Sequence, residues 1–406
     1  MTQTAEFIDL SDHDAFVDAV PYEAFTRLRH EDPVHWNPEP DGRGFWAVTR
    51  YEDIRTVHRD ALLFSSEIGG TSLEDLDEEQ IEARKSMIDT DPPRHDELRA
   101  IINRRFTPKA VMVWEDQVRK VAREVIEGAL PKGEFDFVHE ISSEIPMQVF
   151  AEILGVPQSE RREIIEIGDR LLGNADPEYA GDADDDAHRN LPFSSPAALD
   201  MFAFGRRLYD ERRVQSRDDI VSALVEAGLD QRELDVYFIL LATAGNETTR
   251  HTITHGLLAL LENPDEMERL RCDPALGKSA AEEMLRWATP VHHFRRTAVE
   301  GTELAGQAIA AGDKVTTWLV SGNRDETVFE EPDRFDIGRS PNRHVTFGPG
   351  GVHHCLGAHL AKMEIRITFE ELLSHSAEIE LTGPPERLRS NFFNGIKRMP
   401  VRVTLS

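Results

Sequence analysis

The chain has 406 residues, 40% hydrophobic and 30% charged, with a formal net charge of −29. That is a soluble globular composition, long enough for one large domain or two ordinary ones, and its negative charge repels nucleic acid and anionic membrane surfaces. No apolar run of about 18 residues or more and no basic-then-apolar start indicates a membrane span or signal peptide. The polar, acidic start "MTQTAEFIDLSDHD" gives the expectation of a cytoplasmic protein. Cys272 and Cys355 are too few and too far apart for a disulfide framework.

The first part of the chain alternates short helical and extended pieces. "PVHW" and "GRGFWAVTR" read as two strands joined by the turn-rich "NPEPDG". In "TDPPRHDELR" two prolines start a helix with His95 and Arg99 on one face, and taken alone this is an exposed basic turn. "INRRFTPKAV" (Arg104, Arg105, Lys109) reads equally as a basic patch for an acidic partner or a solvated helix end. Beyond it "VMVWEDQVRKVAREVIEGAL" and "SSEIPMQVFAEILGV" show the three-and-four apolar spacing of helices. Residues 173–196 are irregular and read as a solvated lid. Their aspartates do not make a calcium loop, because neither the glycine nor the glutamate of that pattern follows Asp182.

"FILLATAGNETTRHTITHGLLALL" reads as a long helix, apolar at both ends. Its centre, Ala244 to Thr249, holds a glycine, an acid and β-branched hydroxyls, all modest or poor helix formers. Burying Glu247 without a partner would cost several kcal/mol, so a purely structural helix should not carry it. Strands return near 291–320 and at the C-terminus, with a last helix, "CLGAHLAKMEIRITFEELL", between them. There is no internal repeat and no dividing linker. The expectation is a single domain, 1–406, mostly α with a minor β portion, with no membrane anchor.

"HVTFGPGGVHHCLGAHLAKMEI" carries the sharpest signal. Gly348, Gly350 and Gly351 precede Cys355 and give a backbone that takes positive φ and comes close to a flat ligand. A helix starting at about Leu356 would place Cys355 at its N-terminus, where amides and dipole stabilise a thiolate. An inert buried cysteine leaves the glycines unexplained. Zinc is a weaker reading, since His353, His354 and Cys355 are adjacent and no second ligand pair is visible. A nucleophilic cysteine has no evident base. The glycine loop favours a planar cofactor with a soft anionic ligand, shielded by Phe347.

"FGPGGVHHCLGAHLA" resembles the haem-binding signature of the cytochrome P450 monooxygenases. Cys355 lies one position further from Phe347 than in the commonest form, a variant of the actinobacterial branch that hydroxylates sterol side chains and methyl-branched lipids. The resemblance runs nearly end to end, from "GFWAVTRYEDIRTVHRDALLFSS" to "SNFFNGIKRMPV". It implies the P450 fold, a triangular helical domain sandwiching haem, with small sheets on the N-terminal side. It implies haem b with Cys355 as axial thiolate and metal ligand, O2 as co-substrate, and Phe347, Gly348 and Gly357 in the cofactor loop. His95, Arg99, Arg296 and His353 match the haem-propionate contacts. Residues 233–262 become the helix crossing the distal face, with Ala244 and Gly245 keeping side chains away from the O2 site. Glu247 and Thr248 match the acid–alcohol pair that relays protons to dioxygen.

"EEMLR" supplies Glu283 and Arg286 at i,i+3. The same spacing occurs at Glu52/Arg55, Glu266/Arg269, Glu268/Arg271, Glu331/Arg334 and Glu386/Arg389, where a surface ion pair is the default. Context selects Glu283/Arg286, and the resemblance adds Arg334 of "PDRF" as the third member of a buried structural triad.

By the same resemblance Val291, His292, Phe294, Phe392 and Phe393 line the substrate pocket. The enzyme expected is a ferredoxin-dependent monooxygenase, fed by an NAD(P)H-dependent ferredoxin reductase, acting as a monomer on a hydrophobic small molecule. A terminal methyl group of a sterol or branched lipid is the expected target, and a smaller terpenoid or natural-product intermediate the alternative. A haem-binding sensor or carrier should lack the Glu247–Thr248 pair.

Overall fold

In the computed structural model, residues 8–40, 42–172, 176–179 and 188–405 are described. Of the expected lid, 173–175 and 180–187, which include Asp182 and its neighbours, therefore lie outside the described residues. Of the chain, 54% is helical, with small sheets beside the helices.

The helices that position the site are α1 (Tyr51–Arg59), α2 (Arg94–Ile102), α3 (Glu115–Ala129), α4 (Glu144–Leu154) and α5 (Arg161–Leu172). They continue as α6 (Ala197–Val214), α7 (Gln231–Glu262), α8 (Gly277–Ala288) and α9 (Ala358–His375). The largest sheet runs β1 (Val34–Asn37), β2 (Phe45–Val48), β5 (Lys314–Trp318), β4 (His293–Ala298), β3 (Phe64–Ser65). Only the β2–β5 pair is parallel, with Trp46 opposite Val315. So the sheet expected on the N-terminal side takes two strands from beyond α8, and β4 leads directly out of that helix. A short hairpin of β6 (Glu386–Arg387) and β7 (Ile396–Arg398) closes the C-terminal part.

The largest apolar core lies among the helices, with α7 at its centre against α4, α6, α8 and α9. Two smaller clusters underlie the large sheet. The start of α7 is a reciprocal cap: Asp230 accepts from the Glu233 amide while Glu233 reaches back to the Asp230 amide. It stops at Asn263, whose φ of −127° and ψ of 72° leave the helical range before Pro264.

The centre of α7 stays helical despite its composition. Thr243, Thr248, Thr252 and Thr254 each donate a hydroxyl hydrogen bond to the carbonyl four residues back, so the hydroxyls are satisfied within the helix. Gly245 also serves the packing of two helices. A Cβ there would stand 2.6 Å from Cδ2 of Phe150, so the missing side chain lets α4 pack against α7.

Candidate active site

On α7, Ala244 is exposed between flanking stretches that are buried. Glu247, one turn on, is buried, with Arg250 Nη2 2.6 Å from its Oε2 and Asn246 Nδ2 donating to Oε1 at 3.2 Å. Burial pushes its carboxyl above the usual range, although the Arg250 charge pulls the other way. Arg250 also pairs with Asp169 of α5. Thr248 is partly exposed, its hydroxyl bonded to the Ala244 carbonyl at 3.0 Å. An acid whose carboxyl is raised by burial thus sits beside an alcohol on an open patch of an otherwise buried helix.

Cys355 lies just ahead of α9, which begins at Ala358 with Gly357 as its N-cap, two residues later than the sequence suggested. Its own amide donates to the Phe347 carbonyl at 2.8 Å, pinning the loop into a ring. The side chain is open on one side and closely surrounded by protein on the others. Burial pushes the thiol up, against the lowering by the Gly357 and Ala358 amides and the Arg99 charge. The stabilised thiolate expected from the helix end therefore needs more than those amides: a bound cation deprotonates a coordinating thiol.

The loop glycines answer first to the protein. Gly351 has a φ of 82°, and a Cβ there would stand 2.1 Å from the His58 carbonyl oxygen at the end of α1. Gly357 is the opposite case: beyond its chain neighbours, no described protein atom lies within 4 Å of a Cβ built on it.

Four basic side chains gather around this loop. The rings of His95 on α2 and His353 lie 4.3 Å apart, and Arg99 donates to the His354 carbonyl at 2.8 Å. His353 Nε2 meets Ser66 Oγ at 3.0 Å, and burial plus the nearby charges of Arg296, His95 and Arg99 push it down to about 2. Arg296 of β4 is buried, and burial lowers it to about 10 despite the distant charges of Asp91 and Asp89. Among the described residues neither Arg99 nor Arg296 has a carboxylate in ion-pair contact. In a chain this acidic, two inward guanidinium groups without a carboxylate mark a place for an anion.

A partly exposed apolar wall forms nearby. Val291 bridges to Phe393, Phe393 meets Phe392 edge-on at 4.7 Å, and Phe392 meets Phe294 at 5.8 Å. His292 does not join it. Its side chain is fully buried against Phe16, with ring centroids 5.1 Å apart.

Glu283 and Arg286 are fully buried and paired at 2.8 Å. Arg334 is not their third member: its side chain is 59% exposed and pairs with Glu331. Only its carbonyl reaches Arg286. Arg339 takes the expected place, Nε 3.2 Å from Glu283, with Asn342 and the Asp336 amide completing the carboxylate shell. Sequence reading also missed Arg250 and Asp169, although Glu247/Arg250 has the same i,i+3 spacing as the pairs that were noticed.

The cytochrome P450 family model matches residues 276–400. A steroid C26-monooxygenase of Rhodococcus jostii is 38% identical over 98% of this chain and 84% of its own length. A methyl-branched lipid omega-hydroxylase of Mycobacterium bovis is 40% identical over 95% of this chain and 92% of its own. A Mycobacterium marinum cytochrome P450 solved with pseudoionone superposes with a TM-score of 0.90 at 38% identity, covering 98% and 99% of the two chains. This chain belongs to the cytochrome P450 family.

As a P450 it is an oxidoreductase, a monooxygenase that works with a haem-thiolate iron and O2. P450s of this fold draw electrons from redox partners and act on hydrophobic substrates. Among the described residues, no helix is long and apolar enough to cross a membrane. The residues around Cys355 fit a haem: the backbone at Gly357 is open on its side-chain face, and among the described residues Arg99 and Arg296 have no carboxylate in ion-pair contact and would suit ring propionates.

Proposed function

We propose that this P450 binds haem b through Cys355 and hydroxylates the terminal methyl group of a sterol or methyl-branched lipid. Its electrons would come from a ferredoxin and an NAD(P)H-dependent ferredoxin reductase. The observation that carries the substrate class is the apolar wall of Val291, Phe294, Phe392 and Phe393, which suits a long hydrocarbon body. The printed activities of the Rhodococcus jostii and Mycobacterium bovis relatives support the same class.

Haem with a thiolate ligand supplies O2 activation, the thiolate donating electron density that favours O–O cleavage. The chain's own groups do the rest. Arg99, Arg296, His95 and His353 orient the ring through its carboxylates. The aromatic wall holds one C–H bond in place and keeps bulk water out. Glu247 holds a proton that Thr248, one residue on and partly exposed, passes toward the reacting oxygen.

The test is an optical titration of the ferric protein with cholest-4-en-3-one, a methyl-branched fatty acid and a monoterpene, followed by product analysis. A tight low-to-high-spin shift with the sterol or branched lipid, and terminal hydroxylation of it, is the expected result. A second reading, a smaller terpenoid, is favoured by the pseudoionone in the Mycobacterium marinum structure. A shift with the monoterpene alone would replace the first reading by the second.

A further inference from the structure

The tip of the β6–β7 hairpin, residues 388–395, carries Phe392 and Phe393 of the apolar wall. Its strands are two and three residues long, pairing Glu386 with Arg398 and Arg387 with Ile396. A ladder that short does not by itself fix a tip. Where the two rings stand therefore depends on what else holds the chain around them.

Ser390 does part of this from within the tip. It is buried, and its Oγ accepts from the Phe392 amide at 3.1 Å and the Phe393 amide at 2.9 Å. One hydroxyl thus folds the chain under both aromatic residues. Alongside, the Phe392 carbonyl accepts from the His292 amide at 2.8 Å.

The rest of the hold comes from the other end of the chain. Leu10 to Phe16 meet the tip and end in a single 3-10 turn, His13–Phe16. Asn391, buried between Ser390 and Phe392, donates through Nδ2 to the Leu10 and Ser11 carbonyls, each at 3.1 Å. Its own amide donates to His13 Nδ1 at 3.2 Å. Arg389 pairs with Asp14 at 2.5 Å. Phe16 packs on His292, whose amide holds the Phe392 carbonyl, so the segment braces the tip from a second direction. The segment is itself fixed: Leu10 and Phe16 are buried, and the Leu10 amide donates to Asn37 Oδ1 at 2.9 Å.

Asparagine is the side chain this geometry asks for. Two adjacent carbonyls need two N–H groups on one short stem, where aspartate offers none and serine only one. A tether needed only to hold down a chain terminus would find partners anywhere on the surface. This one fastens on the residue between the hydroxyl that folds the tip and the first ring of the wall.

We propose that the N-terminal segment Leu10–Phe16, with Asn391 and Ser390 as positioning residues, sets where Phe392 and Phe393 stand and so which carbon of the substrate is oxidised. It rests on the reading of Phe392 and Phe393 as a wall of the substrate pocket. A tip released from the segment lets both rings shift, and a substrate held less closely presents more than one carbon to the oxidant.

The test uses the full haem-loaded chain as Asn391→Leu, Ser390→Ala, Ser390→Thr, Phe16→Leu and Phe393→Ala variants. Cholest-4-en-3-one, a methyl-branched fatty acid and a monoterpene are offered, and whichever the parent chain turns over serves for the comparison. The ferrous carbon monoxide band reports an intact haem site. The positions hydroxylated and the spin-shift dissociation constant report the wall. In Asn391→Leu and Ser390→Ala the share of product away from the parent's main position is expected to rise about three-fold or more, and binding to weaken about five-fold, with the carbon monoxide band unchanged. Ser390→Thr keeps the hydroxyl and is expected to restore both. If Asn391→Leu loses the band, Phe16→Leu, which removes the ring beside His292 but stays apolar, is read for the same two quantities. Parent product positions and binding in Ser390→Ala and in the N-terminal-contact variant, alongside altered ones in Phe393→Ala, would overturn the proposal and leave the wall standing. Parent values in Phe393→Ala itself would remove the wall and the proposal with it.

Discussion

Arg250 reaches back one turn along α7 to hold Glu247, Nη2 to Oε2 at 2.6 Å, and gives its other nitrogen to Asp169 on α5. The acid beside the open patch is therefore tied to a neighbouring helix through one guanidinium. Its burial still outweighs that attraction and leaves the carboxyl above its ordinary range. The pair resolves why a buried helix carries an acid at its midpoint: the acid has a cation beside it.

This sets a pH dependence. A carboxyl held above its unfolded value stabilises the fold fully below that unfolded value, and the contribution is lost as pH rises through the folded value. Glu247→Gln removes the titration. Its stability relative to the parent chain should improve as pH rises from 5 to 8 and level off near pH 4. Urea unfolding midpoints at a series of pH values check this, and a difference that does not move with pH would show that the carboxyl is not raised.

The buried triad gives a contrast between two arginines five residues apart. Arg339→Ala strips a charged partner from the buried Glu283 and should cost about 3 kcal/mol in denaturant unfolding. Arg334→Ala, whose side chain lies on the surface with Glu331, should leave the unfolding midpoint unchanged. Burial would raise Glu283, but Arg286, the Asp336 amide and Arg339 together hold it below the usual range. Its contribution is therefore present above about pH 4.3 and fades as pH falls through the lowered value. At low pH the Arg339→Ala deficit should shrink.

The sequence was most informative where a pattern is local. The apolar run of α7 and the strands around Val34 and Phe45 depend on neighbours in the chain, and the helix and strands lie where they were expected. It was least informative where the partner is distant. Gly245 answers to Phe150, Gly351 to the His58 carbonyl, and Glu283 to Arg339 across a loop, and no spacing rule carries those contacts. His292 was misplaced because its ring packs on Phe16, far away in the chain, and no spacing rule carries that contact. Arg250 could have been found, since it repeats the i,i+3 spacing that singled out Glu283 and Arg286.

Two glycines of the cysteine loop should separate folding from cofactor retention. Gly351→Ala combines positive φ with a clash on His58 and should cost about 2 kcal/mol or more, whether or not haem is loaded. Gly357→Ala meets no protein atom. It should leave the unfolding of the haem-free chain unchanged while speeding haem loss to a scavenging globin. If Gly357→Ala retained haem as well as the parent chain, the open space beside it would not be where the ring lies.

Among the described residues the Thr248 hydroxyl makes one hydrogen bond, to the Ala244 carbonyl, and that bond is local to the helix. Removing it costs the fold little, because Thr248 is partly exposed and helix propensity favours alanine. Thr248→Ala should therefore unfold at the parent midpoint or slightly above it and still bind haem and O2. What it lacks is the hydroxyl beside Glu247 that steers a proton to the reacting oxygen. Electrons should then leave as hydrogen peroxide, and product formed per NAD(P)H consumed should fall several-fold while NAD(P)H oxidation continues. Full coupling in that variant would remove Thr248 from proton delivery and leave Glu247 to reach the oxygen by another route.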